Sequence, residues 1–158
     1  MFDTVFGLPV HPLVVHAVVV LTPAAALGVL AIALRPSWRP KYGPLVIAIT
    51  AVATLLTPIA TESGESLSER VGEPEEHAEL GDTLVFLMLP LLALAIALWW
   101  LDRRDRAAST ATKTVAVLAV VAAVAAGVQI ARIGHSGAEA TWNDVANSGP
   151  AQGGDDDD

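Results

Sequence analysis

Four long apolar runs, separated by short charged segments, decide what this chain can fold into. Leu13 to Leu34, Leu45 to Ala60 and Thr83 to Leu101 contain no charged residue, and Val115 to Ile133 carries one, Arg132, near its end. A membrane-crossing helix needs roughly 20 mostly apolar residues, so each run reads as a span, the second being the shortest. Hydrophobic residues make up 53% of the 158-residue chain and charged residues 16%. Soluble domains carry about 25% charged residues, so the polar surface here is too small to cover a water-soluble globule. The expected fold is therefore all-α, an integral membrane four-helix bundle. Residues 1–142 form the membrane domain. Residues 143–158 form an acidic tail ending in four aspartates, whose like charges favour disorder.

The first run could be taken for a signal peptide. No Lys or Arg precedes it, however, Asp3 is acidic, and the run is longer than a usual signal core.

Orientation follows from the basic residues. Arg35, Arg39 and Lys41 lie in the first connection, and Arg103, Arg104, Arg106 and Lys113 in the third. Seven of the nine basic residues thus mark both connections as cytoplasmic, and Trp38, Tyr42, Trp99 and Trp100 mark the same interface. Fifteen of the seventeen carboxylates fall on the other side. Both termini are then extracytoplasmic, in a bacterial plasma membrane. Thr61 to Asp82, with seven glutamates, reads as a solvated outer loop. The net charge of −8 gives no basis for nucleic-acid binding, which needs Lys and Arg on phosphates. Cysteine is absent, so any metal must be held by His, carboxylate, Met or backbone groups.

The four histidines carry the functional argument. With this topology His11, His16, His77 and His135 all fall near the extracytoplasmic ends of spans, together with Glu62 and Glu65. Imidazole is the commonest neutral metal ligand and an axial ligand to haem. Two of these rings on different helices could hold a b-type haem; His16, His77 and His135 with Glu62, Glu65, Glu76 or Glu79 would suit a copper or zinc ion. His16 is the sharpest candidate, since a polar ring on an apolar helix needs a partner. His11 and His16 lie about 140° apart around a helix and need not share a ligand. Gly134, Ser136 and Gly137 around His135 suggest a tight turn. Arg132 could pair with a loop carboxylate or hold an anion such as a haem propionate. Each ring could instead be an interfacial histidine bonded to backbone. The spacing matches no short metal motif.

Other features read as structure. Pro23, Pro58 and Pro90 fall inside spans and read as kinks. Ala119, Ala123 and Gly127 suit close helix packing, and Thr50, Thr54, Thr57 and Thr61 form a stripe whose hydroxyls can bond back to their own helix. No hydrolase motif is present. No internal repeat is evident, although the order span, basic loop, span occurs twice.

GLPVHPLVVH from Gly7 to His16, TESGESLSERV with the following EEHAELG, and GHSGAEATW from Gly134 to Trp142 together resemble the DUF2231 family of bacterial four-span membrane proteins. In that family a Pro usually stands near the position of Ala17, where this chain has Pro23 instead, and GHxGG often replaces GHSGA. Some members are joined to a Rieske-type iron–sulfur domain, which implies a setting in membrane electron transfer and a respiratory or redox complex as partner. A non-catalytic accessory subunit of a larger membrane complex is the alternative.

Overall fold

The computed structural model describes residues 4–5, 8–71, 75–104 and 109–147. A two-residue antiparallel pair, β1 (Thr4–Val5) with β2 (Leu8–Pro9), leads into four long helices. These are α1 (Val10–Leu34), α2 (Arg39–Val71), α3 (Glu75–Arg103) and α4 (Thr110–Asn147), with a 3₁₀ turn, Pro36–Trp38, between the first two. All four helices are long and apolar enough to cross a membrane. Without water in a bilayer core, each backbone N–H and C=O must be satisfied within its own segment, and a helix does this.

Each helix packs against its neighbours in the chain, α4 closes back on α1, and α1 touches α3 only slightly across the diagonal. The bundle interior is formed by small and branched residues such as Ala25, Val29, Ile32, Ala53, Leu91, Ala95, Ala119 and Ala126. Leu27, Leu55, Phe86 and Val121 face outward and are exposed, which suits a lipid-covered surface. The threonine stripe bonds to its own helix: Thr50 Oγ1 donates to the Val46 carbonyl at 2.7 Å, Thr54 to Thr50 at 2.7 Å and Thr57 to Ala53 at 2.9 Å.

The buried positions reveal a duplication that the residue identities conceal. In α1 the buried residues include Val18, Thr22, Ala25, Val29 and Ile32; moving each 66 residues along the chain gives Leu84, Met88, Leu91, Ala95 and Leu98, the buried residues of α3. In α2 and α4 the offset is 73: Arg39, Val46, Thr50, Ala53 and Thr57 correspond to Thr112, Ala119, Ala123, Ala126 and Ile130, all buried. The bundle is two helical hairpins, α1–α2 and α3–α4, whose buried positions recur at these offsets. Burial recurs where identity does not, because a hairpin interior specifies size and polarity more than residue type.

Both hairpin connections lie at one end. There Arg39, 2% exposed, reaches back across the end of α1, Nε donating to the Ile32 carbonyl at 2.8 Å and Nη2 to Ala33 at 3.1 Å. Those carbonyls are among the last in α1 and lack partners within it. Asp102 of α3 stands 3.8 Å from Arg39 Nη1, so one guanidinium ties three helices. Cations also sit over aromatic faces there, Arg35 on Trp38 at 4.8 Å and Arg104 on Trp100 at 4.3 Å. At the start of α4, Ser109 Oγ caps the helix by accepting from the Thr112 N–H at 3.2 Å.

At the opposite end the helices run further than expected. Most of the segment expected to be a loop is helical, α2 continuing to Val71 and α3 starting at Glu75. Glu, Leu and Arg are good helix formers, so a helix already nucleated by the span extends into them. The tight turn anticipated at Gly134 to Gly137 is likewise absent, since α4 passes straight through to Asn147. Trp142 is 62% exposed. The aspartate tail falls in 148–158, outside the described residues.

Close packing makes a first prediction. A Cβ at Gly43 would lie 2.4 Å from Trp99 Cδ1, whereas one at Gly127 would meet nothing within 4 Å. Gly43→Ala should destabilise the bundle by about 1–3 kcal/mol through overpacking. Gly127→Ala should stabilise it by about 0.5–1 kcal/mol by removing a helix-interior glycine. Thermal unfolding of the two variants in detergent checks the pair.

Candidate functional site

His11 stands in the first turn of α1, where Pro12 suits a helix start. Its ring is half-buried and lies against the last part of α2. Nδ1 is 2.9 Å from the Ala60 carbonyl and 3.4 Å from Ser63 Oγ. Ser63 Oγ itself donates to Ala60 at 3.0 Å. A carbonyl can only accept, so His11 carries its proton on Nδ1. The ring approaches so closely because residue 64 is glycine. A Cβ there would lie 3.0 Å from His11 Cε1 and 3.2 Å from Nδ1.

His77 repeats this arrangement in the second hairpin, 66 residues on, in the first turn of α3. Its Nδ1 is 3.1 Å from Ser136 Oγ, and Ser136 Oγ donates to the Ile133 carbonyl at 3.0 Å. With the serine proton committed to Ile133, the bond is made by His77 Nδ1–H. A Cβ at Gly137 would lie 3.0 Å from His77 Cε1 and 3.3 Å from Nδ1, nearly the distances found at Gly64. Ser63-Gly64 and Ser136-Gly137 correspond under the 73-residue offset that relates α2 to α4. Each hairpin thus builds one histidine on a Ser-Gly platform.

Both rings line one cavity of about 80 Å³ at this end of the bundle. Val15, Val18, Leu84, Ile130 and Ile133 give it mostly apolar walls, and Glu65 and Asp82 bring carboxylates to it. With Nδ1 occupied in both rings, Nε2 is the nitrogen left to meet a ligand. This is the usual pattern at metal-binding histidines, where a bond from one ring nitrogen to a carbonyl or hydroxyl fixes the tautomer and orients the other.

The remaining candidates lie elsewhere. His16 is exposed on α1 and bonds through Nδ1 to the Pro12 carbonyl of its own helix, so its partner is local. His135 is also exposed, with Nε2 3.4 Å from Glu139 one turn on. Glu62, Glu76, Glu79 and Arg132 are exposed. The four histidines share an end of the bundle, but only His11 and His77 share a cavity. Among the described residues, no group of three or more His, Asp or Glu is placed to hold a metal ion. Sequence reasoning did not single out Ser63, Gly64, Ser136 or Gly137 as site residues. Recurrence of Ser-Gly beside the ends of the second and fourth runs was the available signal. Gln129 is buried and ties α4 to α3, donating to the Leu80 carbonyl at 2.9 Å and Thr83 Oγ1 at 2.6 Å.

The platform predicts a tautomer. Nitrogen-15 NMR of labelled protein above the imidazole titration range should show both His11 and His77 protonated at Nδ1. Ser136→Ala should introduce the Nε2–H form at His77 alone, since His11 keeps Ala60. An unchanged His77 spectrum in that variant would show that the serine does not set the tautomer.

Neither a protein of curated function nor a solved structure matches this chain at a significant level. A family described as "Predicted membrane protein (DUF2231)" matches residues 7–149. That stretch includes all four helices and both histidine platforms, and the chain belongs to the DUF2231 family.

Proposed function

We propose that this protein is a multi-pass protein of the bacterial plasma membrane that binds a metal ion between His11 and His77 at its extracytoplasmic end. The observation that carries the reading is the pair of equivalent imidazoles, each held through Nδ1, lining a single cavity. Glu65 and Asp82 favour a cation there over an anion. Holding two rings rigidly at the mouth of an apolar bundle costs conformational entropy and desolvation, which a ligand would offset.

The cavity supports an ion over a b-type haem. A water needs roughly 10–15 Å³ of such space, so about 80 Å³ holds a handful of waters, and a macrocycle would require the helices to part. A redox or electron-transfer setting rests on the family resemblance and on the preference of imidazole for copper and iron as well as zinc. The outward orientation rests on the basic connections at the opposite end.

Metal analysis of detergent-purified protein should find one ion per chain. His11→Ala and His77→Ala should each weaken binding more than about 100-fold, beyond the roughly 10–100-fold cost of losing a supporting contact. His16→Ala and His135→Ala should leave it unchanged. A Soret band after haem reconstitution, lost in the first two variants, would replace the ion with haem; equal retention in all four would sink the site.

Topology is checked separately. Single cysteines at Ser37 and Glu139 should react with a membrane-impermeant thiol reagent in intact cells only at residue 139. Labelling of residue 37 would reverse the orientation.

A further inference from the structure

We propose that the bundle end carrying both hairpin connections is a binding surface for anionic phospholipid, contacted through four cation–aromatic pairs. The proposal uses none of the residues of the metal-site reading and holds for either orientation in the membrane.

The aromatic rings set the depth. Trp38 and Tyr42 lie just after α1, and Trp99 and Trp100 near the end of α3. Trp and Tyr rings prefer the headgroup level of a bilayer, where an apolar body and a polar tip are both accommodated. Trp38, Tyr42 and Trp100 are exposed. Trp99 is half-buried and fixed in place, its ring lying on α2 where Gly43 leaves no side chain in the way.

Each ring carries a cation. Arg35 stands 4.8 Å from the Trp38 centroid, Lys41 5.0 Å from Tyr42, Arg103 4.9 Å from Trp99 and Arg104 4.3 Å from Trp100. The positive groups are thereby held at the depth of the rings, which is that of the lipid phosphates. A ring does not satisfy the guanidinium N–H donors as an oxygen would, so the planar fork stays available to a phosphate.

Charge at this end is one-sided. Arg35, Lys41, Arg103, Arg104 and Lys113 are all exposed. Among the described residues the carboxylate at this end is Asp102, and it stands beside buried Arg39 at 3.8 Å. The exposed cations are left for an anion from outside the chain.

The neighbouring surface says which anion. Leu34 precedes Arg35, Leu45 lies one turn after Lys41, Ile96 one turn before Trp100 and Val117 one turn after Lys113. All four are exposed apolar residues. A ligand that meets both kinds of surface must join a phosphate to hydrocarbon, as a phospholipid does. A free phosphate or a soluble polyanion would meet the cations alone.

The test is native mass spectrometry of the full chain in detergent with equimolar phosphatidylglycerol and phosphatidylcholine, with thermal unfolding in each lipid separately. The wild type should retain phosphatidylglycerol in preference and unfold at a higher temperature with it. Arg35→Gln, Arg103→Gln and Arg104→Gln combined should reduce the preference, by about five-fold per cation removed. Arg132→Gln, at the other end, should leave it unchanged. Should the combined variant fail to fold, Arg104→Gln alone should still show its own five-fold loss, to about a fifth of the wild-type preference. Equal retention of the two lipids by the wild type, or a preference unchanged in the folded arginine variants, would overturn the proposal. Stabilisation by inorganic phosphate as large as that by phosphatidylglycerol would assign the surface to a free anion and overturn it as well. Metal binding at the opposite end bears on none of these outcomes.

Discussion

Hydrocarbon offers no hydrogen bonds, and the rest of this molecule follows from that. Each span must satisfy its backbone alone, so each is a helix, and most polar side chains that enter the bundle bring partners with them, the buried Thr22 hydroxyl being an exception. Thr50, Thr54 and Thr57 turn to their own helix. Gln129 finds Leu80 and Thr83 across the α3–α4 contact. Arg39 covers the carbonyls at the end of α1. His11 and His77 obey the same rule through Nδ1, at Ala60 and Ser136.

The pairing of histidine with Ser-Gly shows how such a group is held. Serine fixes which nitrogen carries the proton, and glycine lets the ring lie on the neighbouring helix. Neither task suits another residue type. A side chain at position 64 or 137 would meet the imidazole at 3.0 Å, tighter than ordinary van der Waals contact. An alanine in place of Ser136 would leave His77 Nδ1 without this partner. The two rings are therefore held by α2 and α4, although they come from α1 and α3.

Much of the fold was legible because the apolar runs are long and the prolines and charges between them unambiguous. The bundle's helical class and its four spans needed only length and hydropathy. The acidic segment Thr61 to Asp82 misled, since Gly, Ser and Pro suggested a loop where Glu, Leu and Arg carry the helix onward. Gly134 and Gly137 misled similarly: glycine marks tight turns, but in α4 it permits close approach to His77. Histidine placement pointed to one end of the molecule but not to which two rings share a cavity. His16 looked strongest because it is embedded in an apolar run, yet a helix has an outward face, and periodicity within a uniformly apolar segment does not say which face that is. The repeat escaped because Thr22 stands where its mate is Met88, and Arg39 where its mate is Thr112; only burial shows the equivalence.

That inexact equivalence has a consequence for assembly. A single hairpin presents an apolar flank that needs a mate, and two copies of either would satisfy it in outline. The guanidinium clamp belongs to the first hairpin alone, and it reaches Asp102 in the second. A first hairpin paired with itself would bring two buried cations together with no such carboxylate to meet them. A second paired with itself would leave that carboxylate without its guanidinium. The two halves thus complement one another at the Arg39–Asp102 contact as neither would complement a copy of itself.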